Sequence, residues 1–120
     1  MTNEKVRVRR AYDDPEPAAG TRVLVDRLWP CGLAKSKAAL DDWCKDVAPS
    51  DELRSWYGHD PRRFAEFSRR YQQELQDSRR AGALAQLRSL CHGQRHLTLL
   101  TATKEPAISE AAVLAGLLRG

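Results

Sequence analysis

The run Val23-Leu24-Val25-Asp26-Arg27-Leu28-Trp29-Pro30-Cys31-Gly32 constrains the fold more than any other part of the chain. Three apolar residues, two of them β-branched, form the end of a buried strand, because branched side chains pack well on a pleated surface. The strand must stop where Trp-Pro-Cys-Gly begins, since proline donates nothing to a ladder and glycine lets the chain turn. Between strand and turn stand an acid and a base, Asp26 and Arg27. Charges at the mouth of a buried strand are unfavourable unless paired, and in open α/β sheets ligands bind beyond the carboxyl ends of the strands. The pair therefore either lines a site or ties the following loop down by hydrogen bonds. Residue chemistry alone weighs these two readings equally.

A second near-continuous apolar run, His96-Leu97-Thr98-Leu99-Leu100-Thr101, has the pattern of a strand covered on both faces. Lys5 to Arg10 alternates valine with basic residues, as a half-exposed strand does, and Arg22 to Asp26 is the second strand. Asp13-Asp14-Pro15-Glu16-Pro17 and Gly20 make the connection a loop. Residues 33–47 read two ways: a short helix over Lys37 to Trp43, or a third strand over Trp43 to Val47, the extended form being preferred. Ser50 ahead of Glu52-Leu53 predicts a capped helix from Ser50 to Tyr57, closed by Gly58. Asp60-Pro61 opens the next helix, where Phe64, Phe67, Tyr71 and Leu75 make one apolar stripe. A further helix carries Leu84, Leu87, Leu90 and Cys91 and stops at Gly93. The last helix starts near Pro106 and buries Ile108, Ala111, Ala112, Leu114, Ala115 and Leu118. Buried strands separated by helices predict an α/β fold: a single small domain over residues 1–120, with a mostly parallel sheet flanked by helices on its faces.

Composition excludes several classes of function. A chain of 120 residues with 42% hydrophobic and 30% charged residues supports one globular core. No apolar stretch approaches the ~20 residues needed to cross a bilayer. Met1-Thr2-Asn3-Glu4-Lys5 lacks the apolar centre of a signal peptide, so a cytoplasmic location without membrane attachment is expected. Three cysteines without paired spacing are expected to be reduced thiols. The net charge is +4, and 15 of the 20 basic residues are arginine. However, Arg63, Arg69, Arg70, Arg79 and Arg80 alternate with Glu66, Glu74 and Asp77. Such mixing describes a solvated face with spaced ion pairs, so nucleic acid is not the expected partner.

Val23-Leu24-Val25-Asp26-Arg27-Leu28-Trp29-Pro30 resembles the hallmark of the YeaO-like bacterial family, the domain of unknown function 488. The resemblance continues through Arg10-Ala11-Tyr12-Asp13, Leu40-Asp41-Asp42-Trp43 and Ala48-Pro49-Ser50. It includes Leu53-Arg54-Ser55-Trp56-Tyr57-Gly58-His59-Asp60, Phe67 with Tyr71, Glu74-Leu75, and Leu97-Thr98-Leu99-Leu100. The family has no settled activity, so the resemblance implies a fold and a set of motifs rather than a reaction. There are two departures. The family usually has arginine at the position of Cys31, and it tends to show Asn-His-Ala where this chain has Ser109-Glu110-Ala111. An imidazole is thereby replaced by a carboxylate, and any acid–base or ligand role of that histidine is lost or changed.

If the two buried strands run parallel, Asp26 and Arg27 lie beside Thr101-Ala102-Thr103-Lys104, near Lys104 in space. The hydroxyls of Thr101 and Thr103 and the Lys104 ammonium, at a helix N-terminus, then make a cradle for phosphate or carboxylate on which Arg27 converges. The blander reading makes Thr103 a helix cap and leaves Lys104 solvated. His59, between Gly58 and Asp60, is either a group held in one tautomer for chemistry near neutral pH or a surface or capping residue. Trp29, Trp43 and Trp56 are core or pocket walls. Cys31 is incidental, with no neighbouring histidine to activate it. Cys91, His92 and His96 do not form a metal site, because Gly93 breaks the helix between the histidines. No Gly-rich loop is present and no cofactor is expected.

The expectation is a cleft for a small anionic or nucleotide-like ligand, lined by Asp26, Arg27, Trp29, His59, Thr101, Thr103 and Lys104. If the protein is an enzyme, Asp26 is the base or orienting carboxylate, and Arg27 and Lys104 stabilise developing negative charge. No nucleophile with an adjacent base is visible, so no reaction class follows, and the oligomeric state is open. The alternative is a non-enzymatic module that binds nucleic acid or a protein partner through its Arg-rich helices.

Overall fold

The computed structural model describes residues 5–16, 20–91 and 96–119. Its centre is a four-stranded sheet in the order β1-β4-β2-β3. The strands are β1 (Val6–Arg10), β2 (Thr21–Leu24), β3 (Asp42–Trp43) and β4 (Leu97–Thr101). Every neighbouring pair is parallel, with Val8 and Val23 both opposite Leu99. The five residues of β4 are all buried, as the apolar run 97–101 requires of a central strand.

Alternation along the strands divides the core. Val23, Val25, Leu97 and Leu99 join the main cluster, together with Phe67, Tyr71, Leu87 and Leu114 from the helices. Leu24 and Leu100 belong to a second cluster with Ala11, covered by Trp29, Leu33, Leu40 and Trp43. The helices of the main cluster are α2 (Asp51–Tyr57), α3 (Phe64–Glu74), α4 (Ser78–Ser89) and α5 (Glu110–Arg119). Their starts follow the capping chemistry. Ser50 Oγ accepts from the Leu53 amide at 3.2 Å, and Asp77 Oδ1 accepts from the Arg80 amide at 2.8 Å. Gly58 closes α2 in the left-handed conformation, its amide donating to Arg54 O at 3.0 Å.

Two stretches differ from what the sequence predicts. Residues 33–47 are neither one helix nor one strand: α1 (Lys35–Ala38) precedes the two-residue β3, and Lys45–Val47 is a 3-10 turn. Tertiary bonds decide this. Buried Arg22 donates to Ala38 O at 3.1 Å and Ala39 O at 3.2 Å, satisfying carbonyls where α1 ends. The last helix begins later than Pro106, which opens a 3-10 turn over Pro106–Ile108. The Ser109 hydroxyl then accepts from the Ala112 amide at 3.3 Å, and α5 buries Val113 rather than Ile108 or Ala112. The expected stop at Gly93 lies outside the described residues.

One glycine is required by geometry. Gly20 has φ of +65°, and a Cβ there would stand 2.2 Å from His96 O, where β2 and β4 begin side by side. At the far end, the Val25 amide donates to Leu100 O at 3.1 Å. Pairing therefore continues one residue past β2, and Asp26 leaves the sheet beside Thr101.

Candidate functional site

The two strand ends meet through a carboxylate. Thr101 Oγ1 and the Ala102 amide each donate to Asp26, both at 2.8 Å and to different oxygens. The indole of Trp43 donates to Asp26 O at 2.7 Å and packs edge-on against Trp29, with ring centroids 5.5 Å apart. Arg10 Nε donates to Thr103 O at 3.1 Å, pinning the neighbouring strand exit. Asp26 thus takes up the hydroxyl and amide that an anion at Thr101 would use. It ties its loop down and also lines a cavity.

Opposite Asp26 stands Glu110, the first residue of α5, with the two carboxyls within hydrogen-bonding reach. Burial pushes the Glu110 carboxyl well above the usual range, and the hydrogen bond to Asp26 and its negative charge push the same way. Its own backbone amide and the distant Arg54 pull it down and are outweighed. Burial and the facing Asp26 together favour the protonated form of Glu110. No ion pair reaches Glu110 among the described residues. In the sequence Glu110 shows only as a departure from the family pattern, with nothing that sets it against Asp26. Only the fold brings position 110 to the end of β2.

The cavity has a volume of about 530 Å³, within the roughly 300–1,000 Å³ typical of small-ligand sites. Its inner wall includes Phe67, 2% exposed, and Tyr57, 3% exposed. The Tyr57 hydroxyl donates to Ile108 O at 2.6 Å, and its pKa is pushed up to about 12, first by burial and then by the charges of Glu105, Asp60 and Glu110. Arg27, Arg54 and Asp51 stand at the mouth. Both guanidiniums pair with the one Asp51 carboxylate, Arg54 at 3.4 Å. The Arg27 hydrogen bond is the first cause of a lowered Asp51 pKa.

His59 also reaches this cavity. It follows Gly58 in the left-handed region, with φ of +56°. Its Nδ1 is 3.5 Å from Thr103 Oγ1, and its ring lies 5.8 Å from that of Tyr57. The fold therefore gathers Asp26, Arg27, Trp29, His59, Thr101 and Thr103 around one cavity. Lys104 is exposed and does not line it. Cys31 is exposed at the mouth, its carbonyl accepting from the Tyr12 hydroxyl at 2.7 Å.

Away from the cleft, several of the basic helical side chains are engaged by acids of their own helices. Arg69 and Arg70 both bind Glu66, and Arg80 binds Asp77. Arg63 and Arg70 lie over the Trp56 ring at 5.3 and 4.2 Å. Among the described residues no group of three or more His, Cys, Asp or Glu is placed to hold a metal ion, and no helix is long and apolar enough to cross a membrane.

Fold and site together define a class: a small all-parallel α/β domain with a cleft at the carboxyl ends of its strands, closed inside by a carboxyl pair. The chain belongs to the DUF488 family, matching over residues 5–120 the model described as the inactive DUF488-N3 subclade. Uncharacterised proteins of Mycobacterium tuberculosis and Mycobacterium bovis are each 56% identical over 116 residues, covering 97% of this chain and 95% of theirs. The uncharacterised protein YeaO of Escherichia coli is 38% identical over 118 residues, covering 95% of this chain and 96% of its own. No solved structure matches.

Proposed function

We propose that this protein is a non-catalytic ligand-binding domain whose strand-end cleft takes a small molecule by an anionic group. The observation that carries the reading is the mouth of the cavity, where two guanidiniums, Arg27 and Arg54, share a single exposed carboxylate. Guanidiniums bind carboxylate and phosphate through two parallel hydrogen bonds. An anion that displaces Asp51 from one of them gains a fork, while Asp51 keeps the other. Exposed ion pairs are weak, so this exchange has little to overcome.

Binding without turnover follows from the inner end. The family pattern sets a histidine where Glu110 stands, and an imidazole beside Asp26 could move protons near neutral pH. Here position 110 carries a carboxyl in place of that imidazole. Asp26 already accepts from Thr101, Ala102 and Glu110, so little of it is left to act as a base. The word "inactive" in the matched subclade's description points the same way. The interaction-module alternative has no comparable observation, because arginines of α3 and α4 are held by neighbouring acids.

Calorimetric titration with inorganic phosphate, acetate and nucleoside monophosphates tests the reading. Saturable binding should weaken by at least about tenfold in Arg27→Ala and in Arg54→Ala, a loss of roughly 1.4 kcal/mol, and stay unchanged in Lys104→Ala. Binding indifferent to both arginines would refute it. A steep salt dependence removed by substituting Arg69, Arg70, Arg79 and Arg80 together would favour the nucleic-acid alternative instead.

A further inference from the structure

We infer that the ligand is a zwitterion, its ammonium seated between Asp26 and Glu110 and its carboxylate at the Arg27–Arg54 mouth; this rests on the anion-binding reading and adds the second charge. The cavity is polarised, with both cationic side chains at its exposed mouth and two facing acids at its enclosed end. A ligand that is only an anion answers one end of that field. One carrying a cation at its other end answers both.

The inner end calls for a cation because several neighbouring donors among the described residues are committed elsewhere. On α2, the Tyr57 hydroxyl donates to Ile108 O. On α3, the buried Tyr71 hydroxyl donates to Val47 O. Thr101 Oγ1 and the Ala102 amide, at the end of β4, both donate to Asp26. Arg54 of α2 acts on Glu110 only as a remote charge, since its guanidinium lies against Asp51. Among the described residues Glu110 is left with its own backbone amide and the facing Asp26, and no ion pair reaches it. A buried acid with no cation beside it is an unfavourable arrangement, relieved by a proton or by a positive group.

An ammonium relieves it better than a proton does. It has three N–H donors, and the Glu110 oxygens together with the second lone pairs of the Asp26 oxygens can accept them. The proton balance is explicit. With one proton on it, the empty pair carries a net charge of −1. With the ammonium bound, both carboxyls are ionised, the net charge is again −1, and the displaced proton leaves for solvent. The rings of Trp29, Tyr57 and Phe67 line the same cavity and suit a methylene chain.

The test is titration of the full chain with ω-amino acids from β-alanine to ε-aminocaproate. Each is compared with the alkanoate in which a methyl replaces the ammonium, for example γ-aminobutyrate against valerate. Buffers of different ionisation enthalpy report proton release from the unmodified protein. The expected result is at least about a tenfold preference for the amino acid at one chain length, with about one proton released. Both should vanish in Glu110→Gln while alkanoate affinity is kept, and a thermal melt of that isosteric variant checks folding. Equal binding of amino acid and alkanoate, weakened in both by Arg27→Ala, overturns the zwitterion and leaves the anion cleft standing. If no amino acid binds, the inference also falls, and phosphate and acetate titrated alongside decide whether the cleft reading falls with it.

Discussion

On the outer face of α3, Glu66 lies between two arginines, 2.5 Å from Arg69 Nη2 and 2.7 Å from Arg70 Nε. At the start of α5, Glu110 is enclosed in the cleft and faces another acid. The first carboxyl is lowered to about 2, by its hydrogen bonds to Arg69 and Arg70. The second is raised well above its ordinary value by burial and by Asp26. Both are glutamates in the first turn of a helix, a place that favours negative charge. Their opposite behaviour shows that the macrodipole is a small effect beside ion pairing outside and desolvation inside. A helix surface manages its charges locally, whereas the cleft keeps one unresolved.

The largest expected effect tests whether the two faces of α3 differ as described. Phe67 follows Glu66 directly, yet it is buried and stacks on Tyr57 with ring centroids 4.2 Å apart. Phe67→Ala should cost about 3–5 kcal/mol in a denaturant melt, as large-to-small core substitutions do. A loss below about 1 kcal/mol would erase the distinction between inner and outer face.

The next effect sharpens the contrast through pH. Glu110 has a folded pKa above its unfolded value, so its contribution to stability is complete below the ordinary value of 4.5 and is lost as pH rises through the raised one. Across that window it contributes a slope of at most ~1.4 kcal/mol per pH unit, stability falling as pH rises. Glu110→Gln should flatten that slope and leave the variant more stable than the parent at alkaline pH. A pH series of urea melts that is identical for the two proteins would mean the carboxyl pair holds no extra proton.

Helix capping comes next. Ser50 accepts from the Leu53 amide and its hydroxyl also binds Glu74, so Ser50→Ala should cost about 1 kcal/mol by denaturant titration. The smallest effect belongs to Glu66→Gln. Glu66 has a lowered folded pKa, so its stabilisation is present above 4.5 and fades as pH falls toward about 2. The variant should differ from the parent in a salt-dependent way and lose acid sensitivity in that window. A Glu66→Gln effect larger than that of Ser50→Ala would place the exposed pair above the cap and break the ranking.

Local rules made much of the fold legible. Each of Ser50, Gly58 and Asp60 acts where its neighbours need a donor or acceptor, so the boundaries of α2 and the start of the next helical segment follow from nearby residues. The stripe of Phe64, Phe67, Tyr71 and Leu75 and the all-buried β4 follow from periodicity. Residues 33–47 were not legible, because α1 and β3 are held by Arg22 and β2, distant in sequence. At the cleft, Asp26 stood out from its own strand exit. Its partner Glu110 did not, since 84 positions separate the two in the sequence.

The sequence by itself determined that a parallel α/β domain would bring Asp26 and Thr101 to one end of the sheet, because buried apolar strands leave few other pairings. Tertiary structure alone decided how the charges there are used. It set Thr101 and the Ala102 amide on Asp26, turned Arg27 and Arg54 to Asp51, left Lys104 outside, and placed Glu110 against a second acid. The physical reason is range. Strand and helix preferences act through neighbours and periodic positions, whereas the state of a charge depends on which groups surround it in space and how much water is excluded.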